Sequence, residues 1–217
     1  MVKYADLAGF RHFNLPGQLQ VIQIFSALCF AGMVYSSFQL SWPVIAAAVS
    51  MGFLTFFYAL PFINRSNLRS VAGIKILIIA LVWAGTTVLL PALNAEMFDR
   101  DTAIEFIQRF LFVMVLMLPF EIRDLQFDKP ELATLPQTIG IRNTKKVGGM
   151  LLLCIVLLEP FETSVSLYHS PALLGICLIT FLFLMGSNMN NSPWYTSFWV
   201  EAIPIGWWAG LMISGGG

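Results

Sequence analysis

Seven stretches of this chain are apolar over most of their length. They run at about 19–40, 43–63, 71–93, 104–120, 147–160, 171–187 and 195–213. A helix needs ~20 such residues to cross the hydrocarbon core of a bilayer, so the pattern constrains the fold more than any motif does. Backbone groups in lipid must be satisfied within their own segment, which leaves helices as the spanning form. The alternation expected of barrel strands is not visible. Charged residues make up 11% of the chain, against about 25% in soluble domains. The sequence therefore predicts an all-α, polytopic membrane protein of about seven transmembrane helices. Residues 1–217 read as one transmembrane domain.

Charge gives an orientation. With the N-terminus in the cytoplasm, that side receives Lys3, Arg11, Arg65, Arg69, Lys75, Arg123, Lys129, Arg142, Lys145 and Lys146. The opposite side keeps Arg100 and Arg109, beside Glu96, Asp99, Asp101, Glu159 and Glu162. The asymmetry follows the positive-inside rule without flipping any span. The expected location is an integral membrane, the inner membrane if the source is bacterial, with the motif loops cytoplasmic. Trp42, Trp194 and Trp199 fall near predicted span ends, as interfacial anchors do. Net charge is zero, which removes the electrostatic case for nucleic acid. Cys29, Cys154 and Cys177 lie far apart inside apolar spans and read as small buried hydrophobes. Gln108 and Arg109 read as markers of the outer end of the fourth span.

The chemistry concentrates in Ile122-Arg123-Asp124-Leu125-Gln126-Phe127-Asp128, followed by Thr134-Leu135-Pro136-Gln137-Thr138-Ile139-Gly140. Two aspartates four apart share one face of a helix, and Pro130 and Pro136 predict that regular helix stops near 129. Carboxylates so spaced at a membrane surface suit Mg²⁺, which takes one or two carboxylates and completes its shell with water and phosphate oxygens. The same pair occurs by chance in solvated loops.

Arg-Asp-x-x-x-Asp followed by Thr-Leu-Pro-x-x-x-Gly resembles the second aspartate-rich motif of the UbiA superfamily of intramembrane prenyltransferases. Three spans follow the motif here, as three helices follow it in that family. Tyr58-Ala59-Leu60-Pro61, the basic residues after it and Gly73 are similar to the family's link between its fourth and fifth helices. The resemblance covers family helices three to nine. The first aspartate-rich motif has no counterpart, because Asp6 is the only acidic residue before position 96. The expectation is a chain incomplete at its N-terminus relative to the family, with loss of the first motif as the alternative.

The resemblance implies transfer of a prenyl group from an isoprenyl diphosphate to a membrane-soluble acceptor, often an aromatic ring. Asp124 and Asp128 would hold Mg²⁺, and Arg69, Lys75 and Arg123 would contact the diphosphate. Tyr58 would face the allylic cation or position the acceptor; an interfacial belt residue is its plain alternative. Glu201 falls inside a predicted span, where a carboxylate costs ~2.5–3.5 kcal/mol and usually faces a cavity or partner. It would line the chamber as a base, or sit near the interface if the last helix starts later. A catalytically degenerate relative that binds prenyl lipid or a partner protein is the competing expectation. A small transporter is a third, with little buried charge to support it.

Overall fold

The computed structural model describes residues 15–59, 61–63, 66–67, 73–127, 133–163, 169–192 and 194–215. Among them the chain is helical, apart from a two-stranded antiparallel ribbon. It divides into two units, Met1–Ile45 and Ala46–Gly217.

The first unit contains Leu15–Ser37 (α1). Its apolar side chains point outward all round, with Val21 and Phe25 each 67% exposed. A helix hydrophobic on every face needs lipid or protein around it. Trp42–Ala59 (α2) runs across the unit boundary. Pro61–Ile63 (β1) and Ser66–Asn67 (β2) then pair, with a bulge between Pro61 and Ile63.

In the second unit, Gly73 at φ 70° starts Ile74–Ala84 (α3), in a left-handed conformation that glycine adopts without penalty. Helix continues through a π-helical turn, Gly85–Leu89, into Leu90–Asn94 (α4). Pro91 cannot donate to the turn before it, and the ladder there takes the wider π register. The Thr86 and Thr87 hydroxyls donate to Val82 O at 2.8 Å and Trp83 O at 2.7 Å. A second π-helical segment, Tyr195–Val200, likewise precedes a proline, Pro204.

Arg100–Asp124 (α5) is the central helix. It packs against α3 and its π-helical turn, and against Leu135–Leu158 (α6), His169–Gly186 (α7) and the Tyr195–Val200 segment that leads into Glu201–Gly215 (α8). Asp99 caps it, accepting from Thr102 N at 2.9 Å. That bond and one from the Thr102 hydroxyl hold the Asp99 carboxyl below its ordinary pKa. Asp101 in the first turn and Arg123 in the last complement the helix dipole. Ile104, Gln108, Phe112, Val115, Leu118 and Ile122 form the buried stripe, spaced three or four apart as a helix face requires. Against it lie Ile76, Leu152, Ile155, Leu173, Leu184, Val200, Ile203 and Trp207.

Three segments, Leu19–Ser37, Ile74–Asn94 and Arg100–Asp124, are long and apolar enough to cross a membrane, and Trp42–Tyr58 and Pro171–Gly186 are shorter apolar helices. Several ends differ from the sequence expectation. The fourth apolar helix stops at Asp124 rather than near 129; residues 125–127 form a turn in which Phe127 N donates to Asp124 O at 2.9 Å. The fifth begins at Leu135 rather than 147. Pro136 sits in the first turn of that helix, where a missing N–H is harmless. Cys29 and Cys154 are exposed and only Cys177 is buried.

Candidate functional site

One end of the second unit holds Lys75, Arg123 and Asp124, three of the charged residues the sequence singled out. α5 finishes there, α3 begins there, and the Tyr195–Val200 segment crosses the same end. The helical period brings Glu121 to the inner face of the last turn of α5, at 2% exposure. Lys75, in the first turn of α3, places Nζ 3.7 Å from Glu121 Oε1. An adjacent cation offsets part of the cost of burying a carboxylate. The positive charge expected to face a diphosphate is thus engaged with a carboxylate of the same bundle.

Arg123 is the hub of the end. Its Nε donates to Asp124 Oδ1 at 2.8 Å. Its Nη1 donates to the Thr196 hydroxyl and, at 3.2 Å, to the Ser197 hydroxyl. The guanidinium also lies 5.4 Å from the centre of the Phe120 ring. Only a planar, multiply donating group can make these contacts together. Arg123 therefore fastens the end of α5 to the π-helical segment and holds the Asp124 carboxylate.

Neighbouring ties close the same end. Gln126 Nε2 donates to Met189 O at 3.2 Å. Tyr195 donates its hydroxyl proton to Phe183 O at 2.6 Å. Lys145 Nζ donates to Met185 O at 2.7 Å, near the α7 C-terminus, where cations are favoured.

The Thr134-to-Gly140 motif proves to be a helix start. Thr134 is the extended N-cap residue of α6, and its N–H donates to Gln137 Oε1 at 3.0 Å. Gly140 takes φ 79° and ψ 157° inside the helix, breaking it into two pieces. Side-chain-bearing residues avoid that conformation, which accounts for glycine at the last motif position.

The remaining expected site residues are scattered. Asp128 and Arg69 lie outside the described residues. Tyr58 is half-buried in the last turn of α2. Glu201 is exposed at the start of α8 and, among the described residues, makes no hydrogen bond or ion pair. Thr196, Ser197 and Lys145 were not expected at the site. No local spacing marks them, because each meets its partner only through helix packing.

A second polar group lies toward the other end of α5. Gln108 is 3% exposed, so it faces the interior of the bundle. It donates from Nε2 to Ile155 O at 3.3 Å and to Glu159 Oε2 at 3.2 Å. Arg109 stacks over the Trp207 ring at 4.0 Å. No family model matches the chain, and neither the curated proteins nor the solved structures give a match.

Proposed function

We propose that the chain carries half of a diphosphate site of the UbiA type and takes part in Mg²⁺-dependent prenyl transfer from an isoprenyl diphosphate to a membrane-soluble acceptor. In this reading seven helices cross the bilayer and the Asp124 end faces the cytoplasm. What supports it is the form of the motif: a helix closing on Arg123 and Asp124, then a capped helix opening at Thr134 and broken at Gly140.

The donor set fits a metal held largely by its substrate. Among the described residues no three of His, Cys, Asp and Glu gather into a metal cluster. The Asp124 side chain is 31% exposed and offers one carboxylate, with Asp128 as the second donor. Mg²⁺ needs no more than this when phosphate oxygens and water fill its shell. When bound, the metal would neutralise the departing diphosphate. Asp124 would turn from Arg123 toward the metal. Arg123 would keep its hold on Thr196 and Ser197, and present positive charge to the leaving group. Tyr58 and Glu201 are the proposed contacts to the prenyl and acceptor side, and Arg69 is a further phosphate contact.

The Arg123–Asp124 contact favours a second reading. An aspartate already held by an adjacent arginine suits a scaffold that binds prenyl lipid without turning it over. Membranes containing the protein, supplied with Mg²⁺, radiolabelled isoprenyl diphosphates and candidate acceptors, separate the two. Transfer predicts diphosphate release that falls at least about 100-fold in Asp124→Asn. Equal release from both proteins rejects the transferase. Retention of labelled lipid without release supports the binding scaffold.

A further inference from the structure

The Arg109–Trp207 pair sits fifteen residues along α5 from Asp124, roughly 22 Å at 1.5 Å per residue, so it is separate from the Arg123 end. Two donors there lack acceptors. Arg109 Nε and Trp207 Nε1 are both buried without a hydrogen-bond partner among the described residues. Trp207 as a whole is 5% exposed, so its indole N–H is not turned to solvent. Buried donors are ordinarily paired. Two orphans on one stacked pair point to a shared missing acceptor.

Gln108, next along α5, takes Ile155 O and Glu159 Oε2. Glu105, one turn from Arg109, is exposed and acts on its charge through space, but among the described residues it forms no close ion pair with it and so takes neither N–H. Phe112 meets the Trp207 ring edge-on at 5.1 Å, which gives the pair an aromatic floor. Arg109, half-buried, lies over the face of the indole at 4.0 Å.

Charge selects the ligand. Glu96, Asp99, Asp101, Glu105, Glu159 and Glu162 belong to this end, against Arg100 and Arg109. A net negative surrounding disfavours an anion, while two N–H donors require an oxygen acceptor. We propose that Arg109 and Trp207 bind the carbonyl oxygen of a neutral amphiphile, whose apolar body lies along the exposed faces of the helices. An ester carbonyl of a glycerolipid and a free long-chain ketone share that chemistry.

The test uses the full chain in detergent and four probes: carbonyl-¹³C-labelled 2-tridecanone, carbonyl-¹³C-labelled dioctanoylglycerol, its dialkyl ether analogue and dodecanoate. Infrared spectra read the carbonyl stretch, which falls when the oxygen accepts hydrogen bonds, and thermal unfolding reads affinity. A downshifted, saturable carbonyl band is expected, with stabilisation by ketone or ester and none by ether or dodecanoate. Ester alone identifies a lipid source; ketone as well identifies a free carbonyl ligand. Trp207→Phe keeps an aromatic ring but lacks the N–H and should bind about tenfold more weakly. Arg109→Gln provides the same comparison if Trp207→Phe does not fold. Equal stabilisation by ester and ether overturns the proposal. So does an unshifted band in the wild type, or full affinity in a folded variant.

Discussion

Arg123 donates from Nε to Asp124 Oδ1 at 2.8 Å, while its Nη1 reaches the Thr196 and Ser197 hydroxyls on the Tyr195–Val200 segment. One side chain thus couples the best metal-ligand candidate to the approach of the last helix. Replacing Arg123 by Gln should destabilise the protein by about 1–2 kcal/mol, the range for charge-assisted hydrogen bonds at a partly exposed position. Arg123→Lys should recover less than half of that, because an ammonium cannot serve the three partners in one plane. Thermal unfolding in detergent measures both, and a Lys variant as stable as wild type would show that the fork is unimportant.

Lys75 Nζ lies 3.7 Å from Glu121 Oε1, whose side chain is 3% exposed. Lys75→Met should leave a buried carboxylate without its cation and lower stability by up to about 3 kcal/mol. The double variant Lys75→Met/Glu121→Gln should regain part of the loss, since it removes the buried charge with its partner. A double-mutant cycle reads the coupling. A coupling near zero would mean the pair does not hold the start of α3.

Gly140 adopts φ 79° and ψ 157° with no atom near a would-be Cβ. The position is open in space and demanding only in backbone conformation. Gly140→Ala should therefore cost about 1–3 kcal/mol from backbone strain alone. If chemical denaturation finds it neutral, the break in α6 is not fixed by this residue.

Asp99 is the N-cap of α5, and its carboxyl is held below the usual range chiefly by the Thr102 backbone bond. A depressed folded pKa adds stability above the unfolded value of about 3.9, and that stability disappears as pH falls through the folded value. The gap in unfolding temperature between wild type and Asp99→Ala should be constant near pH 7 and shrink on acidification below about 4. A gap that does not narrow would contradict the cap.

Local rules carried far in this chain. Each of the seven apolar stretches contains helix, because a run of apolar residues has one economical backbone solution away from water. The chemistry of Thr134, Pro136 and Gly140 is that of a helix start and a glycine-only break, readable once Pro136 is placed in a first turn. The start of α6 was less legible: Arg142, Lys145 and Lys146 keep the apolar run from beginning before 147, while the helix itself begins at Leu135.

What the sequence by itself determined is the set of helices and the residues that cap and break them, since hydrogen bonding and side-chain period act within about four residues. The tertiary structure decided the partners. Glu121 meets Lys75 across α3 and α5, Arg123 meets a serine and a threonine more than seventy residues away, and Arg109 stacks on Trp207. Those pairings depend on how each helix is rotated against its neighbour, and no spacing along the chain records that rotation.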